Sequence, residues 1–401
     1  MKAKRDIGQD YLDKIGINPP GESKGLYFQY EKKFGETVGR GMLSDLYRKI
    51  RESGSNENYL AEFYEMKNAS LDGALIFNGG YQGDAYRQLC NWIMDNHDAL
   101  GRDILDIGCE CGVMTCFLAE ALPDAQITAV DRSASAIKAA SELAKRLGLT
   151  NISFIHADIR ELEGKQYDTV VCMRMLQENC DLDSVMQQYQ LLKKEANDFS
   201  ENIDPFARAV CGCVKDGGFL ISSERTDVDP VYLGWLQKVN ELGFTLVPGS
   251  YREIECREME NKGHLQSFIM QKIGADDPVE VYRFWCACQV AHTELAKDDV
   301  FNGWYADMEL QNFGKDIIDG FLLEDPDGNP LLTYSVWSYK DELNLVMLYQ
   351  AMDDEHILSL YSSKATDELV STIESMKKEY EAQGAVAREL ELRDGEIAVR
   401  K

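Results

Sequence analysis

From residue 102 to residue 273, short apolar runs alternate with stretches whose apolar positions recur every three or four residues. The runs at 104–107, 127–130, 152–156, 167–173 and 214–224 have strand length and end in polar or glycine-rich turns. After the second run, Ile137, Ala140, Leu143, Ala144 and Leu147 form one stripe, with Ser133 placed to cap the start of a helix and Gly148 its end. Lys138, Glu142, Lys145 and Arg146 fall outside that stripe and predict the solvent face. Strands alternating with such helices predict an α/β fold with a largely parallel sheet. Right-handed crossovers then bring the carboxyl ends of the strands to one edge, which gathers Asp106, Asp131, Asp158 and Met173 around one crevice.

The turn after the first run carries the candidate chemistry. Asp106 ends the apolar stretch, Gly108 breaks it, Gly112 opens the next helix, and Asp131 ends the following strand. A glycine there lets backbone approach a ligand, the helix start offers free N–H groups, and the terminal acid can accept from both hydroxyls of a ribose. The dinucleotide pattern GxGxxG is broken, because Glu110 and Val113 stand at its second and third glycine positions. That leaves an NAD-dependent oxidoreductase as a weak alternative.

The acid-x-Gly-x-x-x-Gly spacing from Asp106 to Gly112 resembles motif I of the class I S-adenosylmethionine (SAM) dependent methyltransferases, and the later runs extend the resemblance over about residues 80–273. Residues 214–224 are similar to that family's turn and fifth strand, and 243–259 with 265–273 to its closing antiparallel pair. The resemblance implies a Rossmann-like seven-stranded sheet and a SAM cofactor. It implies cofactor contacts at Asp106, Gly108, Cys109, Glu110 and Gly112 of the loop, at Asp131 and Arg132, at Asp158 and Ile159, and at Met173. Glu110 departs from the pattern, which has glycine there. It could meet the cofactor's ammonium group or point to solvent, and solvent is the plainer reading. On the acceptor side the resemblance points to Arg174, Gln177 and Glu178, with Gln177 where many O-methyltransferases carry histidine. A histidine-base mechanism is thereby put in doubt, and no catalytic residue is assigned.

The same resemblance makes residues 1–80 an N-terminal helical cap or lid, with aromatic clusters at Tyr27-Phe28-Gln29-Tyr30 and Phe63-Tyr64, and makes Tyr81 or Tyr86 a candidate cover over SAM. Residues 81–274 are then the SAM-binding domain. Within it, residues 179–213 exceed what one crossover helix needs, so they are a candidate lid or substrate wall. Residues 275–401 predict a C-terminal α+β domain: a helix over 279–297, an antiparallel meander at 319–325, 330–339, 342–350 and 355–362, and a helix over 365–383. That domain could recognise substrate, bind a partner protein or form a homodimer.

Composition trims the possibilities. The chain has 401 residues, 44% hydrophobic and 28% charged, so two domains of ordinary globular character are expected. A formal charge of −27 argues against a nucleic-acid partner and an anionic membrane, since phosphate binding needs clustered cations. No apolar run approaches the roughly 18 residues of a membrane span, and the first residues lack the apolar core of a secretory signal. With eleven cysteines, these features predict a reducing cytoplasm. The pairs Cys109/Cys111, Cys211/Cys213 and Cys286/Cys288 lack zinc spacing, so no metal is expected. The five histidines are scattered, and no hydrolase or nucleotide-triphosphatase motif is present. The expected function is SAM-dependent methyl transfer to a small molecule or a protein side chain. The alternative is a catalytically inactive subunit of the same fold that acts as a scaffold through its C-terminal domain.

Overall fold

The computed structural model describes residues 5–18, 23–53, 57–162, 164–179, 201–225, 229–259, 261–276, 281, 299–302, 306–307, 310–311, 314–339, 345–352, 355–393 and 396–400. The described residues as far as Asp276 form one compact unit and those after Asp277 a second.

Five helices open the first unit: α1 (Ile7–Ile15), α2 (Ser23–Phe34), α3 (Glu36–Ser53), α4 (Glu57–Lys67) and α5 (Leu71–Asp95). The Ser70 hydroxyl accepts from Gly73 N and starts α5, which runs without a break through residue 80, where the sequence placed the start of the core. Leu26, Tyr30, Leu43, Leu46, Phe63 and Phe77 form an apolar cluster of these helices. The core follows as β1 (Asp103–Ile107), α6 (Val113–Ala121), β2 (Gln126–Asp131), α7 (Ala134–Leu147), β3 (Ile152–His156), β4 (Tyr167–Met173), the short α8 (Leu176–Asn179), α9 (Asp204–Gly212), β5 (Val214–Arg225) and α10 (Asp229–Glu241). It closes with β6 (Thr245–Leu246), β7 (Arg252–Glu258) and β8 (Asn261–Gln271).

The sheet runs β3-β2-β1-β4-β5-β8-β6, parallel through β5 and antiparallel after it. Strand order reverses at β1, so the crevice at its carboxyl end is where an open α/β sheet binds ligands. The sheet has eight strands where seven were expected. The segment 243–259 yields two pieces, β6 and β7, both paired to β8, and the turn through Pro248 and Gly249 (φ +75°) breaks it. Helix α7 starts with the Ser133 hydroxyl accepting from Ala136 N and ends at Gly148 (φ +70°), as its sequence implies. Its buried face is Ala136, Ala139, Ala140, Leu143 and Ala144, with Ile137 and Leu147 at the margins.

The second unit is an antiparallel sheet of β9 (Asp299–Asn302), β10 (Gly314–Glu324), β11 (Pro330–Tyr339), β12 (Leu345–Met352), β13 (Glu355–Ser362), β14 (Val386–Arg393) and β15 (Glu396–Val399). Strands β10 to β13 are the expected meander, and α11 (Thr366–Ala382) packs Leu369 and Ile373 on it. The β10–β11 turn is closed by Asp325 N donating to Asn329 O at 2.9 Å. The strands flanking the meander, β9 on one side and β14 with β15 on the other, were not anticipated. The helix expected over 279–297, except for Val281, and most of the insert at 179–213 lie outside the described residues. No helix among the described residues is long and apolar enough to cross a membrane.

Candidate active site

In the first unit the carboxyl ends of β1 to β5 and the faces of α4 and α5 enclose a cavity of about 700 Å³, within the range of small-molecule and cofactor pockets. Asp106, Gly108, Cys109, Glu110, Asp131, Arg132, Asp158, Ile159 and Met173 all line it, and so do Tyr81, Arg174 and Glu178. Residues as far apart as Tyr81 and Glu178 are thus brought together.

Two predicted residues behave differently. Gly112 does not line the cavity. It adopts φ +81° at the start of α6, and a Cβ there would lie 2.8 Å from Cβ of Ala140, so this glycine serves the close packing of α6 on α7. Gln177 lies on α8, and its side chain is outside what the structure describes.

The sheet side of the cavity is anchored by backbone. Asp131 accepts from Glu110 N and from Ser133 N, both at 2.8 Å, which fixes its carboxylate against the loop and leaves other lone pairs for a ligand. Burial nonetheless pushes its pKa above the usual carboxylate value, against those two bonds. Asp158 accepts from Arg160 N at 2.9 Å and caps a short 3-10 turn at 159–161. Asp106 is buried and accepts from the Thr115 hydroxyl. Burial drives its pKa up to about 7, with the nearby Asp131 adding to the rise and the Thr115 bond opposing it. At Gly108 the backbone has φ +69°, and a Cβ would come within 2.1 Å of Sδ of Met175. The positive φ favours glycine there, and the Met175 thioether packs directly on its bare backbone.

The cap side is anchored by side chains, and here the sequence reading of Glu110 needs correction. Glu110 does not face solvent. It pairs with Lys67 Nζ of α4 at 2.7 Å, accepts from Asn78 Nδ2 at 3.1 and 3.2 Å, and takes a longer 3.4 Å bond from the Tyr86 hydroxyl. Its own backbone is in the left-handed region, φ +47°, where a glycine would sit at ease. The ion pair and the Asn78 bonds hold that carboxylate inward. Tyr64, three residues before Lys67 and on the same helical face, donates to Glu178. Burial raises the Glu178 pKa, while the Tyr64 bond counters part of the rise. Glu65 accepts from Ala134 N at 2.8 Å and Ser135 N at 3.2 Å, so α4 is also clamped to the start of α7.

At the acceptor end, sequence reasoning missed Glu224 and Arg225, which line the cavity from the last residues of β5. Glu224 is buried and accepts from Met175 N at 2.9 Å and Leu176 N at 3.2 Å, so it shapes the turn after β4. Burial lifts its pKa to about 8, with those backbone bonds opposing. Arg174, at φ +58°, and Arg225 reach the same carboxylate, Glu258, at 3.7 and 3.1 Å. The missed signal was positional: an acid ending the strand beside β4 lies on the same sheet edge as Asp106.

Sheet order, the switch point at β1 and an acid-glycine loop facing a cavity define an α/β ligand-binding domain of methyltransferase type. Residues 100–229 match a family model described as a methyltransferase domain. The malonyl-[acyl-carrier protein] O-methyltransferase of Acetivibrio thermocellus is 35% identical over 96 residues, 22% of this chain and 33% of that protein. Ribosomal RNA small subunit methyltransferase G of Chlorobaculum tepidum is 28% identical over 139 residues, 33% of this chain and 63% of that protein. The chain therefore spans less than two thirds of the length of each of these relatives. Magnesium protoporphyrin IX methyltransferase of Synechocystis, solved with SAM bound, aligns over 68% of this chain and all of its own at 16% identity and a TM-score of 0.33. These matches support a class I SAM-dependent methyltransferase core around residues 100–229, and the cofactor of that family is SAM.

Proposed function

We propose that the protein is a SAM-dependent methyltransferase acting on a small molecule or a protein side chain. One observation carries this reading: the acid-glycine loop, Asp131 and Asp158 meet at a single cavity whose other wall is the aromatic face of α4 and α5. In that arrangement Asp131 receives the ribose hydroxyls, Asp158 and Ile159 border the adenine, and Met173 lies toward the sulfur. SAM supplies a methyl group already made electrophilic by its sulfonium. The chain's task is alignment and exclusion of water, for which Tyr64, Phe77, Tyr81 and Tyr86 provide the cover. Glu178 stands at the acceptor end as a carboxyl able to hold or take the acceptor's proton.

The relative from Chlorobaculum is named for ribosomal RNA, which makes RNA the competing acceptor. The charge of −27, with seven acidic side chains against four basic ones lining the cavity, favours an acceptor without phosphates. Its eight described free cysteines agree with a cytoplasmic setting. Calorimetric titration with SAM and S-adenosylhomocysteine is the test. Both should bind, and binding of neither would leave the scaffold alternative standing. Transfer of labelled methyl to total RNA should be absent, and its appearance would replace the proposed acceptor.

A further inference from the structure

Glu110 occupies the loop position nearest the amino-acid end of the cofactor if Asp131 and Asp158 take the nucleoside, and it does not stand alone there. Lys67 comes from α4, 43 positions earlier in the chain, with its side chain only 3% exposed, and both residues line the cavity. A lysine ammonium has three N–H donors. One meets Glu110 at 2.7 Å, and the rest of the group faces the rings of Tyr64, Phe77 and Phe63 at 5.4 to 6.0 Å. Beside the pair, Asn78 Oδ1 is buried with no hydrogen-bond partner among the described residues. An ion pair this buried gains little stability over an apolar pair of the same size, so stability alone does not account for it. The amino-acid end of SAM is itself a zwitterion, and a fixed ammonium beside a fixed carboxylate is its electrostatic complement.

Resting on the methyltransferase reading above, we infer that Lys67 and Glu110 form the seat for the amino-acid end of SAM. Lys67 binds its carboxylate with the donors that Glu110 leaves over. Glu110 takes its ammonium from the same wall of the cavity. The cap therefore supplies a cofactor contact as well as a cover, and the methyltransferase loop tolerates glutamate at 110 because Lys67 neutralises it.

The test compares two ligands on the full chain. S-adenosylhomocysteine carries the amino-acid end, and 5′-methylthioadenosine has the same nucleoside without it. Lys67→Met should weaken S-adenosylhomocysteine at least ten-fold in calorimetric titration and leave 5′-methylthioadenosine unchanged, and Lys67→Arg should recover most of the loss. Equal losses for both ligands, or no loss for S-adenosylhomocysteine, would overturn the assignment. If Lys67→Met does not fold, the double variant Lys67→Met, Glu110→Gln buries no lone charge and carries the same comparison. Failure of the unaltered protein to bind either ligand would sink the methyltransferase reading instead.

Discussion

On the sheet side of the cavity, Asp131 and Asp158 each accept from a backbone N–H two residues on, those of Ser133 and Arg160, and Asp131 also accepts from Glu110 N of the loop. On the cap side, side chains hold side chains from remote segments: Asn78 and Glu110 are 32 residues apart, and Tyr64 and Glu178 are 114 apart. The first wall is a property of the local chain and persists wherever the strand–loop–helix unit folds. The second exists only when the cap helices have docked. Substitutions on the two sides should fail in different ways.

The largest effect is expected in the loop's own packing. Gly112→Ala combines a left-handed backbone with a Cβ against Ala140, and should cost about 2–4 kcal/mol in urea unfolding. Gly148→Ala shares the left-handed backbone (φ +70°) but meets open space, so about 1–2 kcal/mol is expected there. Equal losses would mean that the α6–α7 contact is not what demands the glycine.

Next, Asp131→Ala should lower SAM affinity by about 1–3 kcal/mol, the scale of hydrogen bonds to a charged acceptor. An unchanged dissociation constant contradicts the ribose assignment.

Glu224 offers a pH test of a buried acid. Its folded pKa of about 8 lies above the ordinary 4.5, so the folded protein keeps a proton that the unfolded chain releases. Folded stability therefore falls as pH rises from about 4.5 to about 8, by at most about 1.4 kcal/mol per pH unit. Glu224→Gln should flatten that stretch of the stability–pH curve, and an unaltered slope would place the proton elsewhere.

The smallest effect belongs to the cap. Tyr64→Phe removes the bond that opposes the burial-driven rise at Glu178, so its pKa should climb further. If Glu178 works as a carboxylate, the acid limb of the rate–pH profile moves to higher pH. A shift in the other direction would remove Glu178 from the reaction.

The same contrast explains what the sequence disclosed. Asp106, Gly108 and Asp131 fall within one strand–loop–helix–strand stretch, and the caps of α7 lie within a few residues of their partners, so spacing alone found them. The meander from β10 to β13 was legible from alternating runs and turn residues, whereas β14 is mostly exposed and alternates only briefly at Leu390 and Leu392, and β15 is four residues long. Lys67 was invisible for the opposite reason. A lysine ending a helix reads as a solvent-facing cap, and nothing local records that Glu110 is waiting across the cavity. The inward turn of Glu110 was missed with it, because each charge accounts for the other.

Helix α5 begins among the cap residues and ends in the core, with Trp92 and Ile93 packed in the same apolar cluster as Ile104 of β1. Met259 at the end of β7 donates its N–H to the carbonyl of Gly80, midway along it. Cap and sheet thus share one spine. Any attempt to graft a different cap for new specificity must transplant that helix whole, because a seam at residue 80 would sever the beam that carries both.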